Sequence, residues 1–359
     1  MKKLLILLSA TAMICAFSFT AAASDFDFYG SLRFQTFSED FSKETQDTGK
    51  SDTDTKWGTI GTSRIGSKIK LSENITGLFE LAVEAVGNDA LSVRHFYGEY
   101  DFGLGKILIG QTWHPVGIPF GAYSHQVGLN DGGLLNYGLF YSGRDEMIKL
   151  TFGGFQLAFI EPHTSSTVIS GSDMNTDTSL PQIAAGYSVK YENITLDAVG
   201  AYQTYEENNE SSGRTHDIDS YVFKLGAKGE FGPFMLGATY GWGENVMQMG
   251  SGACIGGGFQ GAEYVEASDT LLDADSKGFT IVSAFKATDR LVFEAGYGYN
   301  ETEVAGVDND AAAYYLQAAI TVADGFVVTP EIGRIDYGDV EGIDEGDMTY
   351  FGAKWQINF

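Results

Sequence analysis

The 359-residue sequence carries 22 basic and 48 acidic residues, a formal net charge of −26 that disfavours nucleic acid as a partner. It holds 46 Gly, 19 Tyr and 25 Phe against 6 Pro, and past the first 23 residues no apolar stretch nears the roughly 18 residues of a spanning helix. A helical membrane bundle is thereby excluded, and short alternating segments rich in Gly and aromatics point to an all-β chain.

Lys2 and Lys3, an apolar run from Leu4 to Phe19, and Ala21-Ala22-Ala23 follow the charge, hydrophobe and small-residue order of a secretory signal, which predicts cleavage after Ala23. A membrane anchor fits less well: Ser9, Thr11 and Ser18 interrupt the run, and small residues follow it where basic stop-transfer residues would be needed. Ile14 before Cys15 does not suit lipidation. The expected organisation is a signal peptide over 1–23 and one domain over 24–359, whose single cysteine, Cys254, leaves no intramolecular disulfide to form.

In a transmembrane barrel, apolar residues facing lipid alternate with polar residues facing the lumen over roughly 9 to 11 positions. The first mature segment has this form: Phe26, Phe28, Leu32 and Phe34 take one face, and Asp27, Tyr29, Ser31, Arg33 and Gln35 the other. Strands are then predicted near 58–71, 76–86, 91–101, 105–112, 139–151, 154–160, 182–190 and 193–205. Others follow near 218–229, 232–243, 277–286, 290–301, 311–322 and 325–337. In the last segment Phe351, Ala353, Trp355, Ile357 and Phe359 alternate with Gly352, Lys354, Gln356 and Asn358. The count is about sixteen, an even number as a closed bacterial barrel needs.

The connections fall into two alternating kinds. Tight ones recur at Ser72-Glu73-Asn74, Gly103-Leu104, Gly153-Gly154, Glu192-Asn193, Gly232-Pro233, Thr288-Asp289 and Asp324-Gly325. Between them lie long polar segments at 38–57, 113–137, 161–181, 206–217, 244–276, 302–310 and 338–346, with 87–90 the one brief member. Short periplasmic turns and longer external loops have this asymmetry. An open sheet edge in hydrocarbon would leave backbone groups unpaired at several kcal/mol each, so such a sheet must close on itself.

Local segments resemble the Gram-negative general porin family: Ser63-Arg64-Ile65-Gly66 through Lys68, Asn74-Ile75-Thr76-Gly77-Leu78, Arg94 through Tyr97-Gly98, and Gly105 through Gly110. The resemblance implies an early strand with an inward arginine, its turn, and a strand pair leading into a third loop that folds into the barrel. It also implies a sixteen-stranded antiparallel barrel in the bacterial outer membrane, a homotrimer, and a water-filled channel for small hydrophilic solutes and ions. Outer-membrane lipids, lipopolysaccharide and the barrel-assembly machinery are its expected partners, with Phe359 as the assembly signal. One departure stands out. The family's third loop usually carries acids facing an arginine cluster, whereas Trp113 to Tyr137 holds only Asp131, beside His114, Phe120, Tyr123, His125 and Tyr137.

Permeation requires a constriction and charges where a solute passes. Arg33, Arg64 and Lys68 fall on the lumen phase, and Arg94 takes a similar place by resemblance; together they would form a basic wall favouring anions. Glu80 and Glu84 fall on the inward face of their strand and offer these cations partners, and Arg144, with Asp145 and Glu146, follows the third loop. These residues and Asp131 are the expected constriction. Acids crowd the long loops, among them Asp52, Asp54, Glu206, Glu207, Asp273, Asp308 and Glu345, where solvation explains them ahead of the alternative, a surface that gathers cations and divalent ions against the anionic outer leaflet. Asp273 through Gly278 opens like a calcium loop, but Lys277 replaces an oxygen ligand and Ala284 the closing acid. The five histidines form no H-E-x-x-H pair, and no G-x-S-x-G elbow occurs, so neither catalysis, metal nor cofactor is expected. The alternatives are a substrate-selective porin with a narrowed pore and, from another class, a barrel enzyme.

Overall fold

The computed structural model describes residues 25–45, 52–83, 91–117, 133–164, 174–209, 213–250, 259–265, 267–340 and 342–359. The predicted signal peptide lies outside them, as do Glu84 and Asp131.

In chain order the strands begin with β1 (Asp25–Phe41), β2 (Asp52–Thr59), β3 (Arg64–Lys70), β4 (Ile75–Val83), β5 (Leu91–Asp101), β6 (Lys106–Trp113), β7 (Arg144–Phe152) and β8 (Phe155–Ile160). Next come β9 (Met174–Asp177), β10 (Gln182–Tyr191), β11 (Ile194–Asn209), β12 (Arg214–Phe231), β13 (Phe234–Glu244), β14 (Glu263–Val265) and β15 (Thr270–Leu272). The last are β16 (Ala274–Thr288), β17 (Leu291–Val304), β18 (Val307–Ala323), β19 (Phe326–Asp336), β20 (Asp339–Val340), β21 (Ile343–Asp344) and β22 (Asp347–Asn358). β2 with β3, and β9 with β10, are broken halves of single staves, while β14, β15, β20 and β21 belong to connections. Sixteen antiparallel staves remain, and β22 pairs with β1 from Ser31↔Asn358 to Phe41↔Met348, so the sheet closes.

The burial of side chains is inverted relative to a water-soluble core. Phe28, Leu196, Leu236, Leu316, Ile332 and Phe351 lie exposed on the outside, whereas Gln203, Glu207, Thr280, Asn300 and Lys354 are buried within. A sheet with one hydrocarbon face and one polar face needs this alternation, and closure satisfies every edge. No helix among the described residues is long and apolar enough to cross a membrane, so the strands do the crossing.

Two predicted loops are strand. β11 and β12 run on through 206–209 and 214–217, paired to Asn209↔Arg214, and β17 and β18 meet at Val304↔Val307. The second hairpin turns through Ala305 (φ 53°) and Gly306 (φ 82°), a two-residue turn of left-handed residues whose twist matches the strands. Polarity misled the reading, because these strand ends carry outward acids such as Glu301, Glu303, Asp308 and Asp310, and the apolar alternation fades there. Conversely, the strand expected from residue 139 starts only at Arg144, since Leu139 and Phe140 belong to a loop buried in the lumen.

Of the connection between β6 and β7, the described residues 133–138 lie against the inner face of β16 to β18. The approach is close: a Cβ on Gly298 would stand 2.2 Å from the Tyr137 carbonyl oxygen, and one on Gly138 (φ +83°) 2.2 Å from that of Phe279. Glycine is the only residue that fits both contacts. Leu134 and Tyr137 pack with Val282, Ala311, Ala313 and Tyr315, and Phe140 meets Phe259 of the 245–273 connection at 4.1 Å between ring centroids. Lys224, inward and buried, donates through Nζ to the Val116 carbonyl and, at 3.3 Å, to that of Gly117, pinning the root of the loop.

Candidate functional site

The staves β1 to β7 bring four arginines to one sector of the barrel. Alternation along β4 buries Glu80 and Ala82 inward, alternating with Phe79, Leu81 and Val83. Glu80 is the hub: Arg94 Nε donates to its Oε1 at 2.7 Å, Arg64 Nη1 stands 3.5 Å from the same oxygen, and the Tyr29 hydroxyl donates to Oε2 at 2.8 Å. Arg94 reaches this position through a break in register, since Glu80 pairs with His95 but Leu81 with Val93. The extra residue turns Arg94 and His95 to the same side, where strict alternation would separate them. Both are buried.

Arg33 is fixed from the break between β2 and β3: its backbone N–H donates to Ser63 Oγ at 2.9 Å, Ile60 N–H donates to its carbonyl at 2.9 Å, and its Nη1 lies 3.4 Å from Thr62 Oγ1. Arg144 opens β7 opposite Trp113. Its guanidinium carbon stands 3.5 Å from the centre of the Trp113 ring, and its Nε donates to His95 Nε2 at 3.3 Å. Thr112 holds the other side of His95 at 3.1 Å from Nδ1. Trp113 meets His95 and Tyr141 edge-on, at 5.5 and 5.9 Å. Among the described residues, the Glu80 carboxylate thus meets two guanidinia directly.

Of the expected constriction residues, Arg64, Arg94 and Glu80 come together, Arg33 lies one stave away beside β2 and β3, and Arg144 joins through His95. Lys68 shares the Arg64 face of β3 four residues on, toward the short-turn end, and is exposed. Asp145 instead accepts from His163 Nε2 at 2.8 Å, and Glu146 is exposed on the outer side. Sequence reasoning missed Trp113, Tyr141 and His95 as partners of Arg144. It also passed over inward carboxylates on other staves: Glu294, held by the Tyr315 hydroxyl and Gln317 Nε2 at 2.7 Å each, and Glu331, held by the Tyr350 hydroxyl at 2.7 Å. Parity along β17 and β19 marks both glutamates as inward; the bulge and the loop contacts leave no such mark.

Two histidines stand outside the strands near this wall. The Asp145 carboxylate beside His163 holds that imidazole above its ordinary range, while burial pushes His114 down to about 4.

A closed sixteen-stave barrel with an apolar belt outside, charged side chains within and a loop folded into the lumen defines a transmembrane pore protein. Residues 10–340 match the Gram-negative porin family, and the chain belongs to it. The fold is similar to that of the outer membrane channel DcaP of Acinetobacter baumannii, at TM-score 0.69 and 16% identity over 95% of this chain and 99% of that one. It is similar also to OmpT, an outer membrane protein of Vibrio cholerae solved among other states in a trimer form, at TM-score 0.61 and 20% identity over 94% of this chain and 100% of that one. An anion-selective porin from Comamonas acidovorans aligns at TM-score 0.62 and 13% identity over 94% and 100%. No curated protein is significantly similar to the chain in sequence. The protein is an outer-membrane porin, a channel for passive diffusion of small polar solutes and ions.

Proposed function

We propose that this porin favours anions, and that Arg33, Arg64, Arg94 and Arg144 set the preference. The observation that carries the reading is the gathering of guanidinia around the single carboxylate of Glu80. Charge lining a narrow channel with low-dielectric walls acts more strongly than on an open surface, because field lines are focused. Elsewhere on the wall, Glu294 and Glu331 are buried and accept hydrogen bonds from tyrosine hydroxyls. Lys68 adds charge further along the bore, and Asp131 and Glu84 complete the set by sequence. The test is the reversal potential in a KCl gradient across a planar bilayer: a potential set by chloride supports the reading, and one set by potassium defeats it.

A narrowed, substrate-selective pore is the second reading, favoured by what fills the lumen. Val116 and Phe140 of the third loop, with Val246, Met249 and Phe259 of the 245–273 connection, pack against inward Leu108, Met147 and Val222 as one apolar cluster. That cluster takes up room on one side of the barrel.

The same reading assigns the chain transport without catalysis, a signal peptide over 1–23 removed in export, and a homotrimeric assembly. The trimer form recorded for the Vibrio cholerae OmpT supports the last. Lipopolysaccharide around the outer rim and the barrel-assembly machinery, engaged through Phe359, are the proposed partners.

A further inference from the structure

We infer that the arginine wall discriminates among anions, preferring solutes that carry a carboxylate on an aromatic ring. The inference rests on the anion-favouring reading above and concerns what the Arg144 end of the wall adds to charge.

Arg144 differs from its neighbours in what holds it. Arg94 and Arg64 spend their guanidinium groups on a carboxylate, Glu80. Arg144 is held by rings: Trp113 lies under its face at 3.5 Å, and His95 accepts from its Nε at 3.3 Å. Trp113 is itself fixed by edge contacts with His95 and Tyr141, at interplanar angles of 67° and 62°. The orientation of the indole is therefore set before any solute arrives, and so is the place of the guanidinium over its ring.

His95 and Arg94 are buried, whereas Arg144, Trp113 and Tyr141 each keep part of their surface open. A guanidinium backed on one side by an aromatic ring offers its other face to a second planar group, while its N–H edge suits a carboxylate. Arg144 and Arg64 both remain partly accessible around buried Arg94, so a carboxylate has two cations to approach while its ring settles on the Arg144 and Trp113 stack. An aliphatic carboxylate of the same charge and size gains the first contact without the second. Charge alone would treat the two alike.

Benzoate and cyclohexanecarboxylate form the test pair, with benzylammonium as the cation that carries a ring but the wrong charge. Full-length mature protein in planar bilayers is titrated with each, and block of the chloride current is read. Benzoate should block at a concentration about two- to fivefold lower than cyclohexanecarboxylate, the ratio expected of one partly exposed stacking contact. Benzylammonium should block least. Trp113→Leu should bring the two carboxylates together, Trp113→Phe should keep part of the difference, and Arg144→Gln should weaken both. Heat-modifiable migration of each variant shows that the barrel has formed. Equal block by the two carboxylates in the wild type, or a difference that survives Trp113→Leu, overturns the inference. A channel with no chloride preference that still separates benzoate from cyclohexanecarboxylate would sink the anion reading and support the ring contact.

Discussion

At the scale of single residues, the parity of a strand decides whether a charge is useful or ruinous. Arg33 and Arg64 lie on the inward faces of β1 and β3, while Leu32 and Ile65 are exposed to the outside beside them. Replacing Arg33 and Arg64 together with Gln should move the reversal potential toward cations and leave the folded yield close to wild type. Arginine at Phe34 or Ile65 should do the opposite, costing about 2–4 kcal/mol near the midplane and lowering folded yield. The histidines give a pH prediction. His163, raised by Asp145, contributes stability present below its unfolded value and lost as pH rises through its folded one. His114, depressed to about 4, contributes stability present above its unfolded value and lost as pH falls toward the folded one. In heat-modifiability measured from pH 4 to 9, His114→Gln should flatten the acid side and His163→Gln the alkaline side; unchanged profiles would remove both from the account.

Residue faces were legible in sequence because period-two alternation encodes them, and Arg33, Arg64, Glu80 and the lipid-facing Ile65 all follow it. The site was legible only in part. Arg94 turns inward at a register break, and Arg144 is placed by Trp113, His95 and Tyr141, contacts made across staves and from a loop. Non-local pairing of that kind has no periodic signature.

At the scale of elements, the seam and the in-folded loop matter most. Phe359 exchanges backbone hydrogen bonds with Gly30 at 2.7 and 3.0 Å, and its ring lies where a Cβ on Gly30 would stand, at 2.4 Å. The last residue therefore closes the first and final staves as well as ending an alternating strand. Deleting it should reduce the heat-modifiable form in the outer membrane; an unchanged yield would show that neither closure nor recognition depends on it. The third loop hangs on Lys224. Lys224→Met leaves the carbonyls of Val116 and Gly117 without that donor, a loss of about 1–3 kcal/mol if they stay buried. The expected result is a folded barrel with noisier single-channel current. Strand ends at the outer rim were the elements least legible, because acids there carry β-structure beyond the apolar belt.

At the scale of the whole molecule, the inverted polarity of the barrel, the closed sheet and the family match make one account: a membrane-spanning pore with arginines gathered on its wall and residues of two connections packed inside it. The even stave count was read from sequence, since backbone satisfaction in hydrocarbon allows few alternatives. How far the lumen is filled was not, since that depends on Phe140 meeting Phe259 and on Lys224 meeting the third loop. If residues 1–23 are removed in export as proposed, the intact mass of membrane-extracted protein should correspond to a chain starting at Ser24. The most direct measurement is single-channel recording of purified protein in a planar bilayer under a KCl gradient. The account predicts stepwise conductance with a reversal potential on the chloride side, shifted toward potassium when Arg33 and Arg64 are neutralised; absence of conductance steps, or a potassium-side potential in the wild type, would contradict it.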